Sequence, residues 1–443
     1  PPASQGPRRR NCLVFVQFGG GYFGTHSDAT LLEQCCSTAL AKSVYLERND
    51  LKTRVIDFDP RTTVDLIAEK TILEVRGPQN FVEVGYDQHL TRRTTVATAI
   101  EPAQYEPDRT SWSNDDVILV TGGAKGITAE CALALARTVG TRMALIGRTL
   151  LKNSDTDDQG LNKIPEILGR FEKQGIQARY YSCDICDPDA VAHTVMQVQK
   201  DMGPITGIIH GAGQNTPRRF YQVTAEDAFK EVGPKVIGIL NLLSELRQTP
   251  PKLIVGLTSV IGITGMQGNG WYAFSNEALD LILRRFASTH PATRTLSVAY
   301  SIWRDEGMGA KMGSVHALKK KGIEAIPTQE GVRRFVRHFL SNPGTHQVLV
   351  TARIMQLDTL GVPTPPRIKG ARFLEKRIHY TPGVEAAFLV HLSLDEDLYL
   401  RDHRYNEDYL FPAVFGLEAM AQAIAYLTGV TGFRGLRVEN LQL

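Results

Sequence analysis

Cysteine is scarce in this chain, with six in 443 residues, and the six form no framework. Cys35 and Cys36 are adjacent, and Cys183 and Cys186 are the one pair at x-x spacing, with neither a second such pair nor histidines at ligand distance along the chain. That pattern argues against a zinc site and a disulfide scaffold, so no metal is expected; unframed thiols fit a reducing cytoplasm, and Cys183, closing an apolar run, reads as packing. Charge of one sign is also lacking. A net charge of +3 is too small and dispersed to point to nucleic acid, and Arg8–Arg10 and Lys319–Lys321 read as solvated runs. No apolar stretch reaches the roughly 20 residues that cross a bilayer, so no membrane partner is expected. The opening Pro1–Arg10 lacks the apolar core of a signal peptide and reads as a linker from a longer polypeptide.

What is present is enough apolar residue, 42%, to build real cores, in a length that fits two to three domains. Val117–Val120 is a short apolar run suited to a strand buried on both faces, and Thr121-Gly122-Gly123-Ala124-Lys125-Gly126-Ile127 follows it directly. Gly122, Gly123 and Gly126 let the backbone bend sharply and approach a pyrophosphate, which the N–H groups and dipole of the following helix would meet. Arg142–Gly147 reads as the next strand, with Arg148 just beyond it. An arginine there suits a ribose 2′-phosphate, where a carboxylate would suit a bare hydroxyl, so the expected cofactor is NADPH.

Strand and helix then alternate: Gln177–Ser182, Pro188–Asp201, Ile205–Gly211, Ala225–Arg247, Lys252–Ser259, Trp271–Thr289 and Arg294–Ile302. Such alternation predicts an α/β fold, a doubly wound parallel sheet of Rossmann type, with ligands at the carboxyl ends of its strands. Asp184, then His210-Gly211-Ala212-Gly213, then Ser259 stand at three such ends. Tyr272, thirteen residues after Ser259, is the expected proton donor to an alkoxide. A phenol at its ordinary pKa of about 10 needs a nearby cation to lower it, and Lys235 is the expected cation. Ser259 is placed to donate a hydrogen bond to a carbonyl oxygen, and Asn276, one helical turn past Tyr272, to hold a water.

These residues carry a resemblance. Residues 115–355 look like the catalytic half of a ketoreductase from a type I polyketide or polyunsaturated fatty acid synthase, a branch of the short-chain dehydrogenase/reductase family. Ordinary members of that family have Tyr-x-x-x-Lys; the synthase branch exchanges lysine and asparagine, as Lys235 and Tyr272-x-x-x-Asn276 do here. The resemblance implies Thr121–Ile127 as cofactor turn, Asp184 and Ile185 beside the adenine, Gly211, Ala212 and Gly213 along the cofactor, and Ser259, Tyr272, Lys235 and Asn276 as the active tetrad. It further implies a β-ketoacyl substrate on the phosphopantetheine arm of an acyl carrier protein, with neighbouring synthase domains as partners. Thr128 stands where the family often has glycine or alanine, so looser packing of helix on strand is expected there. The Leu-Asp-Asp marker is missing from Gln214–Arg219, and Thr264 stands where a tryptophan marks the opposite stereochemistry. Tyr300–Gly309 matches the family's lid, with glycines at 307, 309 and 313 to let it move.

Two flanking segments take meaning from the same resemblance. In residues 1–114 a strand is expected at Cys12–Phe18, a helix around Thr30–Tyr45, a strand at Lys52–Asp57, and apolar runs at Thr71–Arg76, Phe81–Tyr86 and Thr94–Ile100. Gly19-Gly20-Gly21 is the nearest thing to a phosphate turn, and no catalytic tyrosine follows; this half resembles the truncated, non-catalytic copy that precedes such reductases and acts as a brace. After a linker at 356–384, residues 385–443 resemble the start of a dehydratase hotdog fold, with His403 as base, Pro412 nine residues on and an apolar helix from Phe415 to Leu427. Glu407 replaces the family's glycine, which speaks against a tight turn, and the chain ends at Leu443 before the part that would supply the acid, so His403 is expected to be incomplete here. Two other readings of the chain are a structural module that does not turn over, against which the intact tetrad speaks, and a sugar epimerase, which would want lysine at position 276.

Overall fold

The computed structural model describes residues 11–26, 31–48, 50–108, 110–150, 163–311, 313–320, 322–353, 357–363 and 368–430. Pro1–Arg10, Thr30, Lys321 and Leu443, which figure in the expectations above, lie outside the described residues. The chain divides into two compact units, residues 1–94 with 101–353, and residues 95–100 with 354–443.

The first unit holds two sheets. The smaller has β1 (Cys12–Gln17), β2 (Lys52–Phe58) and β3 (Phe81–Tyr86) parallel, with the two-residue β4 (Arg92–Arg93) antiparallel at the edge. Its helices are α1 (Thr38–Glu47) and α2 (Val64–Arg76). The apolar run Thr71–Arg76 is the last part of α2. Helix α1 also begins eight residues later than expected, after a 3-10 turn at Leu32–Gln34.

The larger sheet has seven strands, all parallel. In chain order they are β5 (Val117–Thr121), β6 (Arg142–Gly147), β7 (Ala178–Ser182), β8 (Ile205–His210), β9 (Leu253–Ser259), β10 (Arg294–Tyr300) and β11 (Gln347–Val350). Their order across the sheet is β11-β10-β9-β8-β5-β6-β7. Every residue of β5 and β9 is buried, as a strand covered by helices on both faces requires. The order reverses between β5 and β8, and the crevice at a switch point is where open α/β sheets take their ligands. The covering helices include α3 (Gly126–Val139), α4 (Lys163–Glu172), α5 (Pro188–Met202), α6 (Ala225–Glu245) and α7 (Gly270–Thr289). Helix α6 starts on a capping box, Thr224 with Asp227, and buries Val236, Ile239, Leu242 and Leu243 in the core beneath the sheet.

Helix α1 is buried on nearly every side because it lies between the small sheet and α7. Its small residues Ala39, Ala41 and Ser43 allow that approach, and at Gly265, held at φ +65°, a Cβ would stand 2.6 Å from the Cβ of Lys42. Polar bonds complete the junction: Lys42 Nζ pairs with Glu83 at 2.6 Å and donates to the Ile263 carbonyl at 2.8 Å. The Glu277 carboxylate on α7 accepts the Ala39 N–H at 2.9 Å.

In the second unit, strands Lys376–Thr381 and Glu385–Leu389 form an antiparallel hairpin beside the helix Ala413–Thr428. A tight hairpin does form at Arg404–Tyr409, against the expectation drawn from Glu407, because Asn406 takes the left-handed conformation at φ 55°.

Glu277 gives the junction a pH dependence. Desolvation pushes its carboxyl from the ordinary 4.5 to about 8, against the pull of the Ala39 N–H and Lys42. A carboxyl whose pKa is higher folded than unfolded binds a proton on folding, so its contribution is full below 4.5 and is lost as pH rises through about 8. Glu277→Gln is expected to match the parent in acid and to exceed it in unfolding free energy near the top of that window, by up to about 1.4 kcal/mol per pH unit crossed. Denaturant unfolding at several pH values measures this; a constant difference across the range would contradict it.

Candidate active site

The turn after β5 has the geometry of an anion cradle. Gly122 and Gly126 sit at φ 67° and 63°, where only glycine is comfortable. A Cβ on Gly122 would meet the Gly211 carbonyl at 3.0 Å, so the turn and the loop after β8 lie back to back. At Gly126 nothing stands within 4 Å of a Cβ, and Lys125 offers no side-chain cap to α3. Among the described residues no acceptor outside the helix takes the first N–H groups of this fourteen-residue helix, the donors a bound pyrophosphate would use. Thr128 does not loosen the packing: its side chain is buried against Gly211, where a Cβ would come within 2.2 Å of its hydroxyl oxygen. Gly211 makes the room that a smaller residue at 128 would otherwise supply. Of the remaining turn residues, Ala124 is buried, Lys125 is exposed, and Ile127 reaches across to Gly307 in the segment after β10, where a Cβ would stand 2.7 Å from its Cδ1.

Along the crevice Arg148 is exposed and has no ion pair among the described residues. Asp184 is exposed too, its Oδ1 accepting the Cys186 N–H at 3.0 Å. The Ile185 side chain turns into the core against Gly238, and its carbonyl accepts from Asn241, so what it presents to the crevice is backbone.

The strand ends are wired to one another by His210, which is fully buried at the end of β8, in register with Thr121 of β5. Its Nε2 lies 3.2 Å from the Lys235 carbonyl, which can only accept, so the proton sits on Nε2. Nδ1 then accepts from the Thr121 hydroxyl at 2.9 Å, and that hydroxyl oxygen accepts the Ala212 N–H at 3.2 Å. Burial and Lys235 hold the imidazole pKa down to about 3, so the tautomer is fixed and the histidine is structural.

Three of the four expected catalytic side chains converge. Tyr272 is buried in the first turn of α7, and the side chains of Asn276 and Ser259 pull the pKa of its phenol down against the larger effect of burial. Asn276 donates to the Tyr272 carbonyl at 2.6 Å, while its Oδ1 is buried without a partner, an open acceptor suited to a water. Ser259 Oγ accepts the Ile261 N–H at 3.2 Å. Lys235 is buried on α6. Its Nζ donates to the Leu257 carbonyl at 2.7 Å, and burial lowers its pKa to about 8. Burial raises the Tyr272 pKa above 10, with Glu231 adding to the rise. Gly213 runs beside the lysine, since a Cβ there would lie 3.1 Å from its Cε.

Other expected residues stand apart. In the small sheet, the Gly19–Gly24 turn is filled from within: the buried Asp57 carboxylate accepts the N–H of Gly19 at 2.6 Å and of Phe23 at 2.9 Å. An internal carboxylate occupies the place a phosphate would need. His403, in the second unit, is exposed, lies 3.1 Å from the Leu410 carbonyl through Nδ1, and has no carboxylate in ion-pair range among the described residues. Arg218 is paired with Asp227, and the Gln267 amide oxygen, in the orientation that satisfies both groups, accepts from Arg219 at 2.8 and 3.0 Å. Among the described residues there is no cluster of His, Cys, Asp or Glu able to hold a metal ion and no helix long and apolar enough to cross a membrane. The side chains missed from sequence are His210 as linker, Glu231 and Asp57; an apolar strand ending in a polar residue was the available signal for the first.

A glycine turn at the switch point of a parallel sheet, with Ser, Tyr and Asn converging beside it, defines the class of short-chain dehydrogenase/reductase-type oxidoreductases. Residues 117–305 match the family model described as the KR domain. The chain is 25% identical over 339 residues to the polyketide synthase PksL of Bacillus subtilis, covering 74% of this chain and 7% of that protein. It is 27% identical over 308 residues to a polyunsaturated fatty acid synthase chain of a Thraustochytrium species, covering 59% of this chain and 11% of that one. The chain therefore matches only about a tenth or less of the length of these relatives. In fold it is similar to a ketoreductase domain from the bacillaene assembly line, with a TM-score of 0.62 at 23% identity over 77% of this chain and 78% of the other. A ketoreductase from the first module of phoslactomycin biosynthesis in a Streptomyces species gives 0.63 at 21%, over 78% and 76%. The chain carries a KR domain homologous to the ketoreductases of polyketide synthases, a fold that implies a nicotinamide cofactor.

Proposed function

We propose that the chain reduces a β-ketoacyl thioester, carried on the phosphopantetheine arm of an acyl carrier protein, to the β-hydroxyacyl thioester, with NADPH as reductant. The observation that carries this reading is the convergence of Ser259, Tyr272 and Asn276 beside a glycine turn whose helix N-terminus is open. Thr121–Ile127, Gly211–Gly213, Asp184 and the Ile185 backbone would hold the cofactor, with Arg148 on the 2′-phosphate. When bound, it supplies a hydride to the ketone carbon. The remaining work belongs to the chain. Ser259 Oγ donates a hydrogen bond to the carbonyl oxygen, and Tyr272 delivers the proton to that oxygen as it becomes an alkoxide. A phenol with a raised pKa is held protonated, which is the state that reduction needs at the outset. Asn276, through its open Oδ1, holds the water that returns a proton to Tyr272, and Lys235 anchors α6 to the end of β9.

In the same reading residues 1–114 are the structural half and 115–355 the catalytic half, 356–384 a linker and 385–443 the start of a dehydratase with His403 as base. A carrier protein and neighbouring synthase domains are the partners, in the cytoplasm. Asp57 supports the non-catalytic assignment of the first half, because it fills the turn that a nucleotide would occupy.

Tyr272→Phe is expected to keep NADPH binding, followed by its fluorescence, and to lower turnover of a small bicyclic ketone by at least about a hundredfold. Turnover close to the parent's would remove Tyr272 as donor. Arg148→Ala is expected to weaken NADPH by about 1.5–3 kcal/mol and leave NADH unchanged, as loss of a hydrogen bond to a charged group predicts. Equal losses for the two cofactors would contradict the preference for NADPH.

A further inference from the structure

The backbone that carries Arg148 is held at three points around the end of β6. The Gly122 N–H of the glycine turn donates to the Ile146 carbonyl at 2.8 Å, and the Cys183 N–H, just past β7, donates to the Gly147 carbonyl at 2.9 Å. Both are backbone bonds, open to almost any sequence. The third comes from a side chain: Tyr180 of β7 donates its hydroxyl to the Thr149 carbonyl at 2.8 Å. Arg148 thus stands between two carbonyls that are each fixed, while its own side chain is exposed and has no ion pair among the described residues. Gly147 makes room for the tyrosine bond. Its φ lies outside the left-handed region, so the backbone there does not call for glycine. A Cβ at Gly147 would stand 2.9 Å from the Tyr180 hydroxyl oxygen but 3.4 and 3.5 Å from Cε2 and Cζ. The first distance is a clash and the other two are ordinary contact, so the space is kept for the hydroxyl and not for the ring. Burial raises the Tyr180 pKa, which keeps the hydroxyl a donor throughout the neutral range.

We propose that Tyr180 is a positioning residue for Arg148 and so a determinant of cofactor specificity: by holding the Thr149 carbonyl it fixes the stretch of backbone from which Arg148 reaches the ribose 2′-phosphate. The proposal rests on the assignment of Arg148 to that phosphate, and it adds a residue from the neighbouring strand to the choice of NADPH over NADH. A guanidinium meets phosphate oxygens through a planar fork, so its affinity depends on direction as well as on reach. An arginine side chain loses much rotamer freedom when it docks, and a loose backbone anchor would add to that loss. Tyr180 removes the freedom of the anchor before the cofactor arrives, which is how preorganisation raises affinity without a new contact to the ligand. Tyr180 acts through Arg148 and not on the cofactor itself.

The test is binding of NADPH and of NADH, each followed by its fluorescence with no ketone present, to the parent chain, Tyr180→Phe, Arg148→Ala and the double variant. Tyr180→Phe keeps the ring and loses only the donor. It is expected to weaken NADPH about three- to tenfold, the range for one hydrogen bond, and to leave NADH within about twofold. In the Arg148→Ala background the same change is expected to alter NADPH affinity by less than about twofold, because a residue that acts through another has no separate effect once that other is gone. A loss for NADPH smaller than about threefold, an equal loss for both cofactors, or a loss as large in the Arg148→Ala background as in the parent would overturn the proposal. A parent that binds both cofactors alike would overturn the assignment of Arg148, and the proposal with it. A parent that prefers NADPH, an Arg148→Ala variant that loses the preference and a Tyr180→Phe variant that keeps it would overturn the proposal alone.

Discussion

One carboxylate at the end of α1 holds both loops that flank the candidate site. Glu47 accepts the N–H of Gly268 at 2.9 Å through one oxygen and the N–H of Phe220 at 3.0 Å through the other. Gly268 lies four residues before Tyr272, and Phe220 follows the Gln214–Arg219 loop. The Arg218 N–H in turn donates to the Gly268 carbonyl at 2.8 Å, so the two loops are joined to each other as well as to α1. Through these bonds α1, and with it the small sheet, contributes to the shape of both loops. Ser43 and Lys42 extend the same contact to Met266 and Ile263.

The two halves of the first unit answer the same backbone geometry in opposite ways. After β5 the glycines open a turn above a helix whose first N–H groups are taken by no outside acceptor among the described residues, and the turn is kept open by close backbone contact with the loop after β8. After β1 the glycines make another tight turn, yet Asp57 reaches in from the end of β2 and takes its N–H groups. Burial raises the pKa of Asp57, while those N–H groups draw it down. A turn already satisfied by its own carboxylate offers nothing to an anion from outside, whereas its strand and helix can still serve as a support.

Much of this was legible in the sequence because it rests on local pattern. The buried runs Val117–Thr121, Ile205–His210 and Leu253–Ser259 and the glycines at 122 and 126 each announce themselves within a few residues. The seventh strand, Gln347–Val350, was not distinguished, since four residues in an apolar stretch carry too little period to read. Nor did spacing reveal that Lys235 would bond to the Leu257 carbonyl, because a motif fixes which helix a lysine rides on and not what its ammonium meets. Glu47 and Asp57 act on backbone groups that are dozens to hundreds of residues away in the chain, a kind of contact that no local pattern encodes.

The central claim is that α1, from the half without a nucleotide turn, shapes the site in the other half through Glu47. Steady-state reduction of a small bicyclic ketone by Glu47→Ala tests it most directly. The account predicts a fall in kcat of about tenfold or more, with NADPH affinity unchanged, because the Gly268 and Phe220 N–H groups that Glu47 holds lie outside the cofactor turn. A kcat within about twofold of the parent's would show that the loops keep their shape without the carboxylate, and would contradict the claim.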